Sequence, residues 1–215
     1  MVLKLYHYPI SAPSRGAFMA IKAIGVPVEI IHVDLFKKEQ LNESFVKINP
    51  QHCIPTIIDD DGFVLWESKA IACYLAEKHG REDLYPKDLK RRAVVNQRLY
   101  YDSSMLYPRI RAIIYPILFE GVKEIKEQLK DAVNVQLGYL NHYLSESKWV
   151  AGEEMTVADF AIAASISNIL AIGWDFSSFP NIQRWFKDCE AIPGFEENLE
   201  GAKIYGDAVK KNLEK

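Results

Sequence analysis

The N-terminal part of the chain switches between two hydropathy patterns. Residues 2–7 alternate apolar and polar side chains with a period of two, residues 14–24 have helical spacing, and residues 27–33 are apolar and β-branched. A strand, a helix and a second strand in this order favour an α/β layer with parallel strands.

Two shorter apolar runs follow, at residues 56–58 and 63–65. The segment between them, residues 59–62, consists of three aspartates and a glycine, which are turn-forming residues. This arrangement predicts a β-hairpin, and we expect a helix over residues 68–78 to follow it.

Strand patterns end near Pro86, and the remainder of the chain has helical spacing. The segments with this spacing are residues 87–119, 125–144, 157–172 and 180–191. We therefore expect a second domain that is all-α. The predicted boundaries are residues 1–80 for the first domain, 81–86 for a linker, and 87–215 for the helical domain.

One helix start in the second half is unusually clear. Thr156 followed by Asp159 is typical of a capping box, and Met155 with Phe160 is typical of a hydrophobic staple. Such a cap stabilises a helix by about 1 kcal/mol. We expect a structural role here and assign Asp159 no part in catalysis.

Composition excludes several classes of protein. The 215 residues are 49% hydrophobic and 26% charged, which is typical of a folded globular chain, and the net charge is only −3. No bulk charge would attract nucleic acid or an anionic membrane. The three cysteines form no C-x-x-C pair, so we predict reduced thiols, no bound metal and a cytoplasmic location.

The first candidate site lies where the first strand meets the first helix, in the segment YPISAPSR. Free N–H groups at a helix N-terminus favour an anion there. Ser11 stands three residues before Ser14, where a thioredoxin-type βαβ unit would carry C-x-x-C, so a reactive sulfur would have to arrive with the substrate. The alternative is that either serine only caps the helix.

The second candidate is the segment NPQHCIPT. An Ile54–Pro55 bond entering a strand is a good position for a cis peptide, and it leaves the Ile54 backbone free to pair with an extended ligand. His52 precedes it, either as a ligand contact or as an ordinary hydrogen-bonded loop residue.

The third candidate is the pair Glu67 and Ser68, which opens the helix after the hairpin. Backbone N–H groups and the Ser68 hydroxyl suit a carboxylate, whereas Glu67 suits an ammonium group. The end of an α-amino acid carries both groups. The alternative is a helix cap with an acidic first turn.

Together, the SAPSR, INPQHCIPTI, WESKAI and EEMTVADFAIA stretches resemble the cytosolic glutathione transferases, and most of all the insect delta and epsilon classes. The resemblance extends over essentially the whole chain. It implies a thioredoxin-like α/β N-terminal domain, an all-α C-terminal domain, a homodimer, and glutathione as co-substrate.

The resemblance also implies roles for individual residues. Ser11 would stabilise the glutathione thiolate, His52 would contact the glycyl end, and the Ile54 backbone before a cis Pro55 would pair with the cysteinyl unit. Two positions depart from the delta-class pattern, because Gln40 replaces a histidine and Lys69 replaces an arginine. The full glutathione-binding set is Ser11, Gln40, His52, Cys53, Ile54, Pro55, Glu67, Ser68 and Lys69.

The predicted mechanism needs a lowered thiol pKa. A free thiol has a pKa of about 8.5, and lowering it by about two units requires ~2.7 kcal/mol. A hydrogen bond from the Ser11 hydroxyl to a charged sulfur supplies about 1.5–3 kcal/mol, and the helix N-terminus adds about 0.3–1 kcal/mol. These contributions suffice without a general base or a metal.

The electrophile site is expected on residues 100–119, where aromatic side chains step by four. Pro108 and Pro116 would bend this helix and open a cavity. The alternative is ordinary helix packing. The resemblance implies that Tyr107, Tyr115 and Phe119 line a hydrophobic substrate site, that Arg111 faces glutathione or a partner subunit, and that the region around residues 204–205 closes the site.

We therefore predict a glutathione S-transferase that conjugates glutathione to small hydrophobic electrophiles in detoxification. Two alternatives stay open. One is a non-catalytic module that binds hydrophobic ligands or proteins, and the other is a glutathione-dependent peroxidase or isomerase. A disulfide oxidoreductase is disfavoured because position 11 is serine.

Overall fold

Four strands form one mixed sheet in the computed structural model, which describes residues 2–213. They are β1 (Leu3–His7), β2 (Val28–His32), β3 (Thr56–Ile58) and β4 (Val64–Trp66), in the order β2-β1-β3-β4. β1 and β2 are parallel, as the βαβ pattern predicts. β3 pairs antiparallel with β1 and forms the predicted hairpin with β4, so the sheet is mixed.

Two long helices pack on this sheet, α1 (Ala12–Ile24) and α3 (Ser68–Lys78), and a short helix α2 (Glu43–Val46) lies between β2 and β3. α1 begins two residues earlier than predicted, because a proline at position 13 is compatible with a first helical turn. The core between sheet and helices is formed by Leu3, Leu5, Ala17, Ile21, Ile57, Ile71 and Leu75.

The second half of the chain is helical. Its elements are α4 (Leu89–Tyr101), α5 (Tyr107–Phe119), α6 (Glu127–Tyr143), α7 (Val157–Ala171), α8 (Pro180–Asp188) and α9 (Phe195–Leu213). The helical segment predicted over residues 87–119 is interrupted by a π-helical turn over Asp102–Leu106, which separates α4 from α5. Pro108 has no N–H to donate to the preceding turn, which disfavours continuous α-helical bonding there.

α9 was not predicted from the sequence. It packs closely through two glycines: a Cβ at Gly201 would lie 2.7 Å from Arg15 Cδ and even nearer to Pro9 O, and one at Gly206 would lie 2.6 Å from Ala171 O. α9 therefore contacts the loop between β1 and α1 on one side and α7 on the other.

The predicted capping box at the start of α7 is present. The Thr156 side chain accepts from the backbone of this helix start, and Asp159 accepts from the Thr156 N–H at 2.8 Å. Within residues 2–213, no helix combines the length and the apolar character that crossing a bilayer needs.

Candidate active site

A cavity of about 430 Å³ lies between the loops at one end of the sheet and the helices α5 and α9. Most of the site residues that the sequence predicts line it, although they are far apart in the chain. These are Ser11, Gln40, His52, Cys53, Ile54, Tyr107, Arg111, Tyr115 and Phe119.

Ser11 is the N-cap of α1. Its hydroxyl oxygen accepts from the Ser14 N–H at a long 3.4 Å, and its own N–H donates to Tyr8 O at 3.0 Å. A hydroxyl that accepts this bond still has its proton to donate. The hydroxyl of the buried Ser14 is instead paired with His7 Nδ1 at 2.7 Å. Of the two serines, Ser11 is thus the one that offers a donor to the cavity, although it also caps the helix.

The Ile54–Pro55 peptide bond is cis. Asn49 holds the loop before it, because its amide nitrogen donates to Cys53 O at 3.1 Å and to Thr56 Oγ1 at 2.9 Å. No residue between positions 2 and 213 hydrogen-bonds the Ile54 backbone. Its N–H and C=O groups are therefore available to an extended ligand.

His52 lies at the edge of the cavity in a left-handed backbone conformation, with φ of 43°. Such a φ is uncommon for a residue other than glycine. The His52 N–H donates to Asn49 O at 2.9 Å, and its side chain is exposed. The ring is consequently free to contact a ligand.

The remaining predicted residues do not line this cavity. Pro55 is buried beneath Ile54, and Glu67 lies exposed at the N-cap of α3 with φ of 72°. Lys69 Nζ lies 2.8 Å from Asp102 Oδ2, and the Asp102 side chain is almost fully buried. The ammonium group of Lys69 is therefore engaged by the helical half of the chain, while Ser68 is buried at the first turn of α3.

The aromatic side chains of α5 form one wall. The Arg111 guanidinium lies 4.0 Å from the centre of the Tyr115 ring, and the Tyr115 and Phe119 rings are 4.9 Å apart. Phe119 meets Phe36, from the loop after β2, at 5.8 Å across the cavity mouth. Tyr115 and Phe119 are 37% and 46% exposed, which excludes ordinary core packing for both.

The buried face of α5 consists of isoleucines, namely Ile110, Ile113, Ile114 and Ile117. One face of α5 therefore packs in the core, and another face lines the cavity.

Several cavity residues were missed by sequence reasoning. Leu35, Lys38 and Leu41 come from the irregular loop after β2, whose mixed residues show no periodicity. From the region around residues 204–205, which the sequence analysis does place at the site, Tyr205 lines the cavity from α9, whereas Ile204 is exposed. Lys38 places a positive charge in the same cavity as His52, and no pattern in the sequence predicts it.

Arg15, in the first turns of α1, is almost completely buried. Its guanidinium donates from Nε to Asn198 Oδ1 at 2.9 Å, from Nη1 to Pro9 O at 2.8 Å, and from Nη2 to Asn168 Oδ1 at 2.5 Å and Ala164 O at 3.3 Å. One side chain thus ties the β1–α1 loop to both α7 and α9.

Comparisons with known proteins give a consistent result. Residues 1–77 match the model of the glutathione S-transferase N-terminal domain, and residues 69–193 match that of the C-terminal domain. Over 201 residues the chain is 42% identical to glutathione S-transferase D7 of Drosophila melanogaster, covering 92% of this chain and 89% of the relative.

Two solved structures are also similar over nearly their whole length. One is glutathione S-transferase unclassified 2 from Bombyx mori, with 62% identity, full coverage of both chains and a TM-score of 0.96. The other is a delta-class glutathione transferase of Nilaparvata lugens, with 45% identity, coverage of 98% and 99%, and a TM-score of 0.93.

Proposed function

Because the chain belongs to the glutathione S-transferase family and is a transferase of that kind, we propose that its Ser11 hydroxyl stabilises the thiolate of bound glutathione. One observation carries this proposal. Ser11 offers a hydroxyl proton at the N-terminus of α1, within a cavity whose opposite wall is aromatic. An anion is favoured at such a helix terminus.

In this mechanism the protein supplies charge stabilisation and positioning. The Ser11 O–H donates to the sulfur, which forms a bond to an electrophilic carbon while the leaving group departs with its electron pair. The thiol proton passes to solvent. Holding both reactants in one cavity replaces a bimolecular encounter.

The middle of glutathione would lie against Ile54. Its unpaired N–H and C=O groups support pairing with the cysteinyl main chain, beside the cis Pro55. His52, Gln40 and Cys53 also line the cavity, and we assign them to the glycyl end. Lys38 adds a cation suited to its carboxylate.

The γ-glutamyl end would extend towards the start of α3. We assign its ammonium group to the exposed Glu67 carboxylate and its carboxylate to the Ser68 hydroxyl and the free N–H groups of the first turn. Lys69 would act indirectly, since its ammonium pairs with Asp102.

The electrophile would occupy the aromatic wall. Tyr107, Tyr115 and Phe119 present apolar ring surface, and their exposure within the cavity supports binding of small hydrophobic electrophiles. Arg111 stacks on Tyr115 and would attract electron-rich substituents of the substrate. Detoxification is the role that such a broad apolar site suits.

We propose a homodimer in the cytoplasm that needs no metal. Among residues 2–213, Leu89 and Tyr100 are the most exposed large apolar side chains, at 82% and 72%, and exposed apolar surface of this kind supports an interface. The proposed division is residues 1–80 for glutathione binding, 81–86 as linker and 87–215 for the electrophile.

Ser11→Ala tests the central assignment. We expect the pKa of the bound glutathione thiol to rise by about one to two units, because a hydrogen bond to a charged group is worth about 1.5–3 kcal/mol. The ultraviolet absorbance of the thiolate, followed against pH, measures this pKa. Turnover of chlorodinitrobenzene should fall in parallel.

Ser14→Ala is the matched control, since the Ser14 hydroxyl is paired with His7 rather than directed to the cavity. It should leave the thiol pKa unchanged. If Ser11→Ala leaves both the thiol pKa and turnover unchanged, Ser11 does not stabilise the thiolate.

A further inference from the structure

Arg15 carries a buried charge that no acidic group balances. It is 1% exposed, and all four of its hydrogen bonds go to neutral oxygens, two from amide side chains and two from the backbone. Across residues 2–213, no aspartate or glutamate forms an ion pair with it. Buried arginines are normally paired, because removing a charge from water is unfavourable.

The side chains that bind Arg15 are neutral amides, which leave its positive charge unbalanced. Asn168 and Asn198 occupy the positions where the isosteric aspartate would form an ion pair. Burial lowers the pKa of Arg15 to about 10, so the guanidinium remains protonated at neutral pH. The fold therefore keeps a full positive charge whose field is not cancelled locally.

This charge lies next to the Ser11 site. The main-chain N–H of Arg15 donates to Ser11 O at 2.9 Å as part of the first helical turn, and the side-chain Nη1 donates to the Pro9 carbonyl, so the side chain holds the loop two residues before the serine. The N-terminal end of α1 has the same sign of partial charge. Both favour an anion in the cavity.

The other titratable groups around Arg15 do not offset it. His7 on β1 is kept neutral by burial, which lowers its pKa to about 4, and burial raises the pKa of Tyr107 on α5 and of Tyr205 on α9. Arg111 on α5 is a second cation. α7 contributes only the neutral Asn168 and the Ala164 carbonyl.

We propose that Arg15 is a positioning residue for the transferase reaction, whose unbalanced buried charge lowers the pKa of the glutathione thiol in the cavity while its hydrogen bonds fix the Pro9–Ser11 loop. The proposal rests on the proposed function, since it requires a glutathione thiolate in the Ser11 cavity. It adds a long-range electrostatic contribution to the short-range one from the Ser11 hydroxyl.

Asn168→Asp tests this directly. The substitution keeps the shape and the acceptor at Nη2, and a carboxyl beside a guanidinium is ionised. By Coulomb's law, two unit charges about 10 Å apart in a medium with an effective dielectric constant of about 20 interact by about one pKa unit, which we take as the scale of the effect. We expect the bound-thiol pKa to rise by that amount and the rate at neutral pH to fall about tenfold, with recovery in alkaline buffer.

The melting temperature separates this effect from misfolding. Because Asn168→Asp gives Arg15 an ion-pair partner, the melting temperature should be maintained or rise. Asn198→Asp places a carboxylate on Nε and provides a second variant with the same expected pKa shift, should the first fail to fold.

Asn141→Asp is the matched control. Asn141 accepts from the first N–H groups of α8 and does not line the cavity, so the same added charge should leave the thiol pKa unchanged.

The outcomes are distinct. A folded Asn168→Asp with an unchanged thiol pKa overturns the proposal and makes Arg15 a structural tether only. If the thiol pKa rises in Ser11→Ala but not in Asn168→Asp, the proposed function stands and the role of the Arg15 charge is refuted. A shift in Asn168→Asp alone supports the Arg15 charge and contradicts the role of Ser11.

Discussion

Asp159→Asn removes half of the acceptor capacity of a fully buried carboxylate. Oδ1 accepts from the Val150 N–H and from Trp185 Nε1, both at 3.0 Å. Oδ2 accepts from the Thr156 N–H at 2.8 Å and from its hydroxyl at 3.2 Å. Burial raises the pKa of Asp159 only to about 6, so the carboxylate that accepts these bonds is ionised at neutral pH.

An asparagine offers one oxygen and one NH₂ group at these positions. If the NH₂ group faces Val150 and Trp185, two buried N–H donors lose their acceptor. If it faces Thr156, the Thr156 N–H loses its acceptor, whereas the hydroxyl can rotate and accept from the NH₂ group. Each unsatisfied donor costs about 1–3 kcal/mol. The remaining hydrogen bonds also weaken, because they no longer end on a charged oxygen. We therefore expect the free energy of unfolding to fall by about 2–4 kcal/mol, a large share of the ~5–15 kcal/mol typical of native proteins.

Urea unfolding at neutral pH, followed by tryptophan fluorescence and circular dichroism, measures this loss. Asp207→Asn is the control, because Asp207 pairs with Lys203 only at the exposed surface of α9. Its unfolding midpoint should hardly move. A loss below about 1 kcal/mol in Asp159→Asn would refute the assignment of unsatisfied donors.

Two further predictions concern the cavity mouth and acid stability. Phe119→Ala removes the ring contacts with Phe36 and Tyr115 and should raise KM for apolar electrophiles about two- to tenfold. The KM for glutathione should not change in Phe119→Ala. The control Tyr139→Ala, on the exposed face of α6, should change neither the KM for glutathione nor the KM for the electrophile. An equal rise of both KM values in Phe119→Ala would contradict the assignment of Phe119 to the electrophile site. Burial lowers the pKa of His7 to about 4, so the unfolded chain takes up its proton first as the pH falls below 6.5. Stability is then fully present above that pH and should fall by about 2 kcal/mol between about pH 7 and 5. His7→Gln should abolish this part of the loss in urea unfolding, and an undiminished loss would show that His7 is not its source.

The sequence was informative wherever local chemistry determines local structure. Turn residues 59–62 marked the hairpin, Pro55 marked the cis peptide, and the Thr156 capping box marked the start of α7. The βαβ pattern placed Ser11 at a helix start, and the step of four placed Tyr115 and Phe119 on one face of a helix. These features depend on residues close together in the chain.

Features that depend on contacts between residues far apart in the chain could not be predicted from the sequence. Arginine is usually a surface residue, and the amide partners of Arg15 lie 153 and 183 residues away. The pairing of Lys69 with Asp102 likewise requires the two halves to be docked. α9 was missed because Gly201 and Gly206 lower its helix propensity, while their value lies in close packing that only the folded chain reveals.

The bare backbone of Gly201 against Pro9 has a consequence for how this enzyme can diversify. Any side chain at position 201 would push α9 away from the loop that carries Ser11, so a substitution there would displace the residue to which we assign thiolate stabilisation. Positions 115 and 119, at the open wall, carry no such constraint. We therefore expect the preference for electrophiles to change through substitutions on α5, while the close spacing between α9 and the β1–α1 loop is retained.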